Sequence, residues 1–161
     1  MSGNLDAAVQ ALIDRQTLEE MFIDYFSGGL RSKGVEYFFD KEFELDINGI
    51  VTTNFEEVRE FYKAVMEDKP NLTGTFRMIL SNFLIEVDGD KATAQFLWTQ
   101  TLNDTIKGPP RFIEQGREYD RLVRRDGQWK ITKRVVIADS GLPDLFDDTW
   151  EPRLDYQLPV E

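Results

Sequence analysis

The stretch RMILSNFLIEVDGDKATAQFLWTQ, residues 77–100, contains two apolar runs on either side of an Asp-Gly pair at 88–89. Apolar residues that recur every second position are typical of β-strands, and Asp-Gly is a strong signal for a tight hairpin turn. A second pair of runs follows, joined at Asp126-Gly127. The sequence therefore predicts an antiparallel meander of four long strands, at residues 75–87, 91–103, 112–125 and 128–138.

Helical patterns precede the meander. A one-sided apolar spacing runs from residue 5 to residue 26, and Gly28-Gly29 ends it. Asn48-Gly49 predicts a second tight hairpin, and Asn54 is a favourable N-cap for a helix that ends before Pro70. The predicted elements before the meander are a helix at 5–26, a short helix at 35–39, a strand–turn–strand unit at 43–53 and a helix at 55–65.

Helices followed by a long antiparallel meander are typical of an α+β fold. We expect a strongly curved sheet, mixed or antiparallel, that wraps the N-terminal helices as a cone and leaves a central apolar pocket at its open end. The length of 161 residues suits a single domain. Its expected core spans about residues 5–140, and the tail is 141–161, which carries Leu145, Phe146, Trp150 and Tyr156.

The amino-acid composition limits the partners and the chemistry that the protein can have. With 30 acidic and 19 basic residues, the formal net charge is −11, which disfavours nucleic acids and anionic membranes as partners. There is no histidine and no cysteine, so imidazole and thiolate chemistry are absent, and we expect neither a metal nor another cofactor. The start, MSGNLDAAVQ, lacks the pattern of a signal peptide, and the expected location is cytoplasmic.

A resemblance to a known family rests on Arg15 and Tyr25 and on three stretches: LSNFLIEVDGDKATA at 80–94, GREYDRLVRRDGQWKI at 116–131 and KRVVIAD at 133–139. Together they resemble SnoaL-like proteins of the nuclear transport factor 2-like superfamily, relatives of scytalone dehydratase and ketosteroid isomerase. The resemblance covers about residues 5–140. It implies the cone fold and a homodimer that pairs through the open sheet face.

The resemblance also implies a function. We expect a cofactor-independent lyase or isomerase that acts on a hydrophobic aromatic or polycyclic small molecule. Its reaction is proton abstraction beside an electron sink, followed by elimination or a double-bond shift. Two alternatives stay open: a non-catalytic ligand-binding or assembly module of the same fold, and the small subunit of an aromatic-ring oxygenase.

The chain departs from the family pattern at two positions. Dehydratase-like members carry an aspartate about five residues after the helix tyrosine, and the corresponding residue here is Leu30. They also carry a histidine just before the Ser-Asn of the first long strand, where this chain has Met78. FLWTQTL, at 96–102, lacks the Arg-x-Asp of limonene-epoxide-hydrolase-like members. The inherited dehydratase mechanism therefore does not transfer, and neither does the epoxide-hydrolase one.

A further departure from the family pattern provides a candidate catalytic residue. Relatives commonly carry a tyrosine two residues before the aspartate of Asp-Arg-Leu-Val-Arg, where this chain has Glu118. Strand alternation places Glu118, Asp120 and Leu122 on one face, so Glu118 is predicted to face inward. Aromatic surroundings raise a carboxyl pKa and suit a general base or acid. Asp120 is predicted to pair with an arginine, with Arg15 as the candidate.

In this hypothesis, the remaining candidate catalytic and substrate-binding residues lie around Glu118. Tyr25 and Asn82 are predicted hydrogen-bond donors to developing negative charge, with a β-bulge as the alternative role of Asn82. Asp46 and Asp139 are further candidate acids, although alternation favours an exposed face for Asp46 and a turn-starting role is open for Asp139. The candidate substrate-binding residues are Leu30, Met78, Phe96, Trp98 and Gln100, with an ordinary aromatic core as the alternative for Phe96 and Trp98.

Overall fold

The computed structural model describes residues 2–63 and 75–140. The predictions made for Val65, Pro70 and the tail from residue 141 lie outside these residues. Among the described helices, none is both long and apolar enough to cross a membrane. The helical elements are α1 (Ser2–Asp24), a π-helical turn (Tyr25–Gly29), α2 (Leu30–Lys33), α3 (Val35–Phe38) and α4 (Phe55–Phe61). The strands are β1 (Phe39–Ile47), β2 (Ile50–Thr52), β3 (Thr75–Asp88), β4 (Lys91–Asn103), β5 (Arg111–Arg125) and β6 (Gln128–Ser140).

Within the described residues, six strands form one curved, unclosed sheet in the order β2-β1-β6-β5-β4-β3. The β1 and β6 strands are parallel, and every other neighbouring pair is antiparallel. The sheet is therefore mixed, because β1 runs parallel to β6, the last strand within the described residues. The predicted α+β class, with helices at the N-terminus and a curved sheet after them, is confirmed.

The turns explain why the strand limits were predictable. Asn48 and Gly49 both have positive φ angles, 52° and 95°, as the tight two-residue turn between β1 and β2 requires. Asp126 and Gly127 repeat this geometry, with φ angles of 51° and 79°. The β3–β4 turn differs slightly from the prediction, because Asp88 pairs with Lys91 and the reversal therefore lies one residue later.

The hydrophobic core lies between α1 and the inner face of the sheet. Leu18, Phe22 and Tyr25 of α1 and the turn after it are completely buried. The Phe22 ring lies 4.9 Å from the ring of Phe96 on β4, and Phe83 on β3 lies at the same distance from Phe96. Burying one such side chain stabilises the fold by about 1.5–3 kcal/mol, so this aromatic stack fixes α1 against the sheet.

An ion pair ties α1 to the β-hairpins. Arg124 donates from Nη1 and Nη2 to the two carboxylate oxygens of Asp14, each at 2.9 Å, and the Asp14 carboxylate is almost completely buried. The same guanidinium bonds Asp90 through Nε and lies 4.6 Å from the centre of the Trp129 ring. This bidentate geometry is the strong form of the arginine–carboxylate interaction.

Replacing Asp14 with Ala is therefore expected to lower the free energy of unfolding by about 1.5–3 kcal/mol, because Arg124 loses a buried charged acceptor. Urea unfolding followed by circular dichroism measures this change. Asp6→Ala is the matched control, since Asp6 is exposed on the same helix. Equal midpoints for the two variants would show that the ion pair adds no stability.

Gly116 leaves room for an indole ring. It faces Trp98 across the β4–β5 ladder, and an added Cβ would overlap the carbonyl oxygen of Ile137 and lie 2.6 Å from Cζ2 of Trp98. Backbone on one side and a buried ring on the other leave a methyl group no space. Glycine at this position therefore leaves room for the Trp98 ring against β5.

We expect Gly116→Ala to destabilise the protein by about 1–3 kcal/mol or more through overpacking. Thermal unfolding measures the effect. The matched control is Gly127→Asn, because no atom lies within 4 Å of the added Cβ and asparagine tolerates a positive φ angle. An unchanged melting temperature for Gly116→Ala would contradict the tight packing between β5, Trp98 and Ile137.

Candidate functional site

The inner faces of β4, β5 and β6 bring a set of polar residues together. Phe96 pairs with Glu118 across β4 and β5, and Asp120 pairs with Arg134 across β5 and β6. Glu118 is 1% exposed, and Asp120 and Arg134 are completely buried. The predicted inward direction of Glu118 is therefore what the structure has, together with the inward Leu122 on which that prediction depended.

Arg134 is the cation of this cluster. Its Nε donates a hydrogen bond to Oδ1 of Asp120 at 2.7 Å, and the same Nε lies 2.8 Å from Oε1 of Glu118. Asp120 lies in line with the N–H bond, whereas Glu118 is close to the charge without that alignment. The prediction that Arg15 pairs with Asp120 is wrong: Arg15 is exposed, and the strand register places Arg134 directly opposite Asp120.

Aromatic rings enclose the guanidinium group. Its Cζ lies 4.3 Å from the centre of the Tyr25 ring, 5.6 Å from that of Phe39 and 5.8 Å from that of Phe22. The negative face of an aromatic ring attracts a cation, and this attraction strengthens where water is excluded. The rings thus replace part of the hydration that Arg134 loses on burial.

Burial favours the protonated, uncharged form of both carboxyl groups in the cluster. Burial raises the pKa of Glu118 well above its ordinary value, and the negative charge of Asp120 adds to this effect against the opposing charge of Arg134. Burial also raises the pKa of Asp120, although Arg134 opposes the shift and a hydrogen bond from Glu118 favours the charged form. Of the two carboxyl groups, Glu118 therefore has the stronger tendency to hold a proton, and a cluster that holds one proton is neutral: one cation, one anion and one carboxylic acid.

Two tyrosines supply neutral hydroxyl groups beside the cluster. Burial raises the pKa of Tyr25 well above its ordinary value, and it raises the pKa of Tyr62 to about 12. Their rings meet edge to face, with centres 5.4 Å apart. Tyr25 is completely buried, so its hydroxyl group does not reach water. Both residues keep their protons and can donate hydrogen bonds.

Three predicted catalytic residues lie elsewhere. Asn82 is exposed, has a φ angle of 57° and lies in a bulge of β3, so the bulge alternative describes its position. Asp46 was expected to be exposed but is buried, because its Oδ1 accepts a hydrogen bond from the backbone N–H of Gly49 and closes the β1–β2 turn. Asp139 forms an ion pair with Arg117 at 2.9 Å, near the end of β6.

The predicted substrate-binding residues divide into two groups. Phe96 and Trp98 are buried on the inner face, next to Glu118 and Gly116 respectively. Met78 and Gln100 pair with each other on the same face and are partly buried. They extend the row of inward-facing residues toward the start of β3 and the end of β4. Leu30 is part of the main hydrophobic core, at the start of α2.

The sequence analysis did not identify Arg134. Ile131 and Leu122 pair on the inner face, but the register of β6 shifts between Ile131 and Lys133, which leaves Thr132 as an extra residue. Regular alternation from Ile131 would place Arg134 on the outer face. The bulge reverses the alternation and turns Arg134 inward. A charged residue between the apolar Ile131 and Val135 was the available sequence signal.

The structure has a surface cleft of about 370 Å³ at a different place. It lies between α1, Lys33, Tyr37 and the β5–β6 turn at Gly127. Its lining residues do not belong to the buried cluster. The central apolar pocket that the sequence predicted therefore stays a prediction, and the cleft is separate from it.

Comparisons with known proteins agree with this architecture. A family model described as the SnoaL-like domain matches residues 9–135, most of the chain, and the chain therefore belongs to the SnoaL-like family. No curated protein shows significant similarity to it. Several solved structures, in contrast, are similar to this chain.

A protein of unknown function from Mycobacterium tuberculosis is 25% identical, with a TM-score of 0.63 over 80% of this chain and 77% of that one. A protein from Novosphingobium aromaticivorans, provisionally named a scytalone dehydratase, is 19% identical, with a TM-score of 0.62 over 80% and 86% of the two chains. A nuclear transport factor 2-like protein with a cystatin-like fold, also from N. aromaticivorans, is 18% identical, with a TM-score of 0.65 over 87% and 91%. The last two likenesses concern the fold alone.

Proposed function

We propose that the protein is a cofactor-independent lyase or isomerase that transfers a proton to or from a hydrophobic aromatic or polycyclic small molecule. The observation that carries the proposal is the buried cluster of Glu118, Asp120 and Arg134. Two carboxyl groups with raised pKa values share one guanidinium group in a place without water access. Groups whose environment shifts their pKa values in this way are strong candidates for acid–base catalysis.

The cluster contains both an acid and a base. With one proton on the cluster, one carboxyl group is an acid and the other is ionised beside Arg134. In a double-bond shift, the ionised group would remove a proton from a carbon next to a carbonyl, and the C–H electron pair would move toward the carbonyl oxygen. A protonated carboxyl group would then return a proton to a different carbon. In an elimination, the electron pair of the enolate would instead form a C=C bond while the C–O bond to a hydroxyl group breaks, and the protonated carboxyl group would give its proton to the departing oxygen, so that water leaves.

The sequence left two roles open for Glu118, general base or general acid. Burial and the neighbouring Asp120 favour its protonated form, which supports the role of the acid. Glu118 therefore starts the reaction as the acid, and Asp120 is the ionised partner. The two exchange roles once a proton has been transferred, because they are hydrogen-bonded to each other.

Solvent deuterium exchange tests this function without knowledge of the natural substrate. A panel of cyclic aromatic ketones is incubated with the protein in D₂O, and enzyme-dependent exchange at the carbon next to the carbonyl is followed by NMR. We expect exchange with the wild-type protein and with Glu86→Gln, which alters an exposed glutamate on β3. We expect none above background with Glu118→Gln. Exchange that is equal in all three proteins would sink the proposal.

A second candidate is a non-catalytic ligand-binding or assembly module. The hydrogen bond between Asp120 and Arg134 favours it, because a satisfied buried ion pair can serve packing alone. This candidate predicts ligand binding without exchange in the experiment above. The oxygenase-subunit alternative predicts instead that the chain co-purifies with a larger iron-containing chain.

We also propose that the chain forms a homodimer through the outer face of the sheet. Ile79, Leu84 and Leu97 lie on this face and are 53%, 53% and 42% exposed. Exposed apolar groups on strands are commonly covered by a second copy. Light scattering at micromolar concentration should give twice the chain mass of 18.7 kDa, and a monomer mass contradicts the proposal.

A further inference from the structure

We infer that residues 141–161, the tail of the chain, bind to the outer face of β5 and β6, the side of the sheet that faces away from α1. The tail lies outside the residues that the structure describes, and it follows β6 directly, because β6 ends at Ser140. The inference does not depend on the proposed catalytic function. It assigns an occupant to the middle of the outer face and leaves β3 and β4 for the proposed second copy.

A second apolar cluster, separate from the main core, lies on the outer face. It consists of Tyr119 on β5 and of Val135 and Ile137 on β6, which are 2%, 1% and 2% exposed. Tyr119 follows the inward-facing Glu118, so strand alternation turns it outward. Its pairing with Val135 places both residues on the same side of the sheet. We call Tyr119, Val135 and Ile137 the outer strip.

The burial of the outer strip is local. One row of outward-facing positions crosses the six strands: Val51, Asp46, Val135, Tyr119, Gln95 and Leu84. At the ends of this row, Val51 and Leu84 are 55% and 53% exposed, whereas Val135 in the middle is almost completely buried. Side chains on the convex side of a curved sheet diverge, so neighbours within the sheet bury one another little. An additional segment must therefore lie over β5 and β6.

The described residues do not supply this segment. Among residues 2–63 and 75–140, no helical residue belongs to the outer strip, and the buried apolar residues of the helices belong to the core on the inner face. Two ion pairs flank the strip: Arg117 pairs with Asp139, and Lys133 pairs with Glu44. The strand register places these ion pairs on either side of the row of Val135. They border the strip and do not explain its burial.

The longer stretches outside the described residues are 64–74 and 141–161, and the tail fits the position better. Residues 64–74 connect α4, which packs on the inner side through Val58, with β3 at the edge of the sheet. The tail, in contrast, continues β6 itself. An extended chain advances about 3.3 Å per residue, so a tail that reverses after Ser140 can reach Val135 within about six residues.

The tail also has the side chains that such a cover requires. Gly141 and Pro143 are residues that favour a chain reversal, and Leu145, Phe146 and Trp150 follow them. Large apolar side chains in a segment otherwise rich in aspartate and proline are unfavourable in water, and their burial against apolar groups is favourable. The outer strip offers apolar groups at the distance that the tail can span.

Thiol labelling tests the inference, because the chain has no cysteine. Val135→Cys places a thiol in the outer strip, and Val51→Cys is the matched control, the same substitution at an exposed end of the same row. Mass spectrometry follows the reaction of each variant with a maleimide reagent, and circular dichroism checks that each variant is folded. We expect Val135→Cys to react at least about 10-fold more slowly than Val51→Cys. Equal rates would overturn the inference.

Changes in the tail locate the cover. Phe146→Ser combined with Trp150→Ser should raise the labelling rate of Val135→Cys by about 10- to 100-fold, because the burial of two aromatic side chains is lost. The rate of Val51→Cys should stay the same. Leu5→Ser combined with Leu12→Ser is the matched control, since both leucines are exposed on α1. An unchanged rate for Val135→Cys after the tail substitutions would rule out the tail as the cover.

Dilution separates the tail from a second copy of the chain. Cover by the tail is intramolecular, so the protection of Val135→Cys should be the same at micromolar and at nanomolar protein concentration. Protection that is lost on dilution would show that a second copy covers the outer strip, and the inference would fail.

Trypsin gives a measurement that needs no variant. Arg153 is the only lysine or arginine in the tail. We expect the bond after Arg153 to be cut at least about 10-fold more slowly in the folded protein than in a synthetic peptide of residues 141–161, because a bound tail must open before the protease can act. A cleavage rate equal to that of the free peptide would contradict a bound tail.

Discussion

Glu118→Gln is expected to lower the rate of proton transfer by about 10²–10⁴-fold while the fold remains intact. Gln has the shape of a protonated glutamic acid and can still donate a hydrogen bond to Asp120, but it cannot take up or release a proton. Turnover or deuterium exchange measures the loss, and the exposed Glu86→Gln is the control. Because burial already favours the protonated, uncharged form of Glu118, the substitution changes the charge of the core little, and the variant should not unfold.

The same substitution should change how stability depends on pH. The folded chain holds the Glu118 proton more tightly than the unfolded chain, whose pKa is near the ordinary value of 4.5. Below that pH both states are protonated and this contribution to stability is complete. As the pH rises, the unfolded chain loses its proton first, so the free energy of unfolding falls until the pH passes the folded-state pKa. One proton gives a slope of at most about 1.4 kcal/mol per pH unit.

Glu118→Gln has no proton to hold at this position, so part of the slope disappears and the variant gains stability relative to the wild-type protein above pH 4.5. Urea unfolding at a series of pH values measures the difference. The comparison with Glu86→Gln removes the general effect of the net charge of −11. Parallel curves for Glu118→Gln and the wild-type protein would mean that Glu118 is ionised in the folded state.

The sequence predicted the strands because local signals and tertiary packing agree in them. Turn residues with positive φ angles at Asn48-Gly49 and Asp126-Gly127 fix the hairpins, and the apolar alternation of β3 to β6 follows the inner face. The family resemblance then supported the prediction that the sheet is curved. α1 shows the limit of the argument: its apolar spacing predicts a helix correctly, but Leu5 and Leu12 are 66% and 63% exposed.

The site was only partly predictable, since bulges change which residues face inward. Glu118 and Asp120 lie in a regular part of β5, and alternation places them correctly. Asn82 and Arg134 lie at or beyond bulges, in β3 and β6, where alternation fails. Asp46 is buried for a third reason: its side chain closes a turn, which a strand pattern does not reveal.

Arg134 determines whether the two acids can coexist in the core. Its positive charge opposes the burial effect on the pKa of both Glu118 and Asp120. Although burial opposes it, the two carboxyl groups raise the pKa of Arg134 well above its ordinary value, so the guanidinium group stays charged. Removal of this one side chain leaves two carboxyl groups in an aromatic core without a counter-ion.

We therefore expect Arg134→Met to destabilise the protein by about 3–5 kcal/mol, the usual cost of breaking a buried ion pair on one side. The loss should be largest at neutral pH and should shrink as the pH falls toward 4, because protonation then neutralises both acids in either state. A scan of melting temperature against pH measures this dependence. A deficit that is the same at every pH would point to lost packing against Tyr25 and Phe39 instead.

A compensated variant separates charge from shape. Glu118→Gln and Asp120→Asn combined with Arg134→Met remove all three ionisable groups while they keep similar volumes. The two carboxyl groups are then no longer charges without a counter-ion, so the triple variant should recover most of the stability that Arg134→Met loses. It should also lack proton transfer, because it has neither acid. Recovery of stability without recovery of exchange would mean that the cluster is kept for chemistry and not for folding, whereas a triple variant as unstable as Arg134→Met would mean that the fold itself depends on the charges.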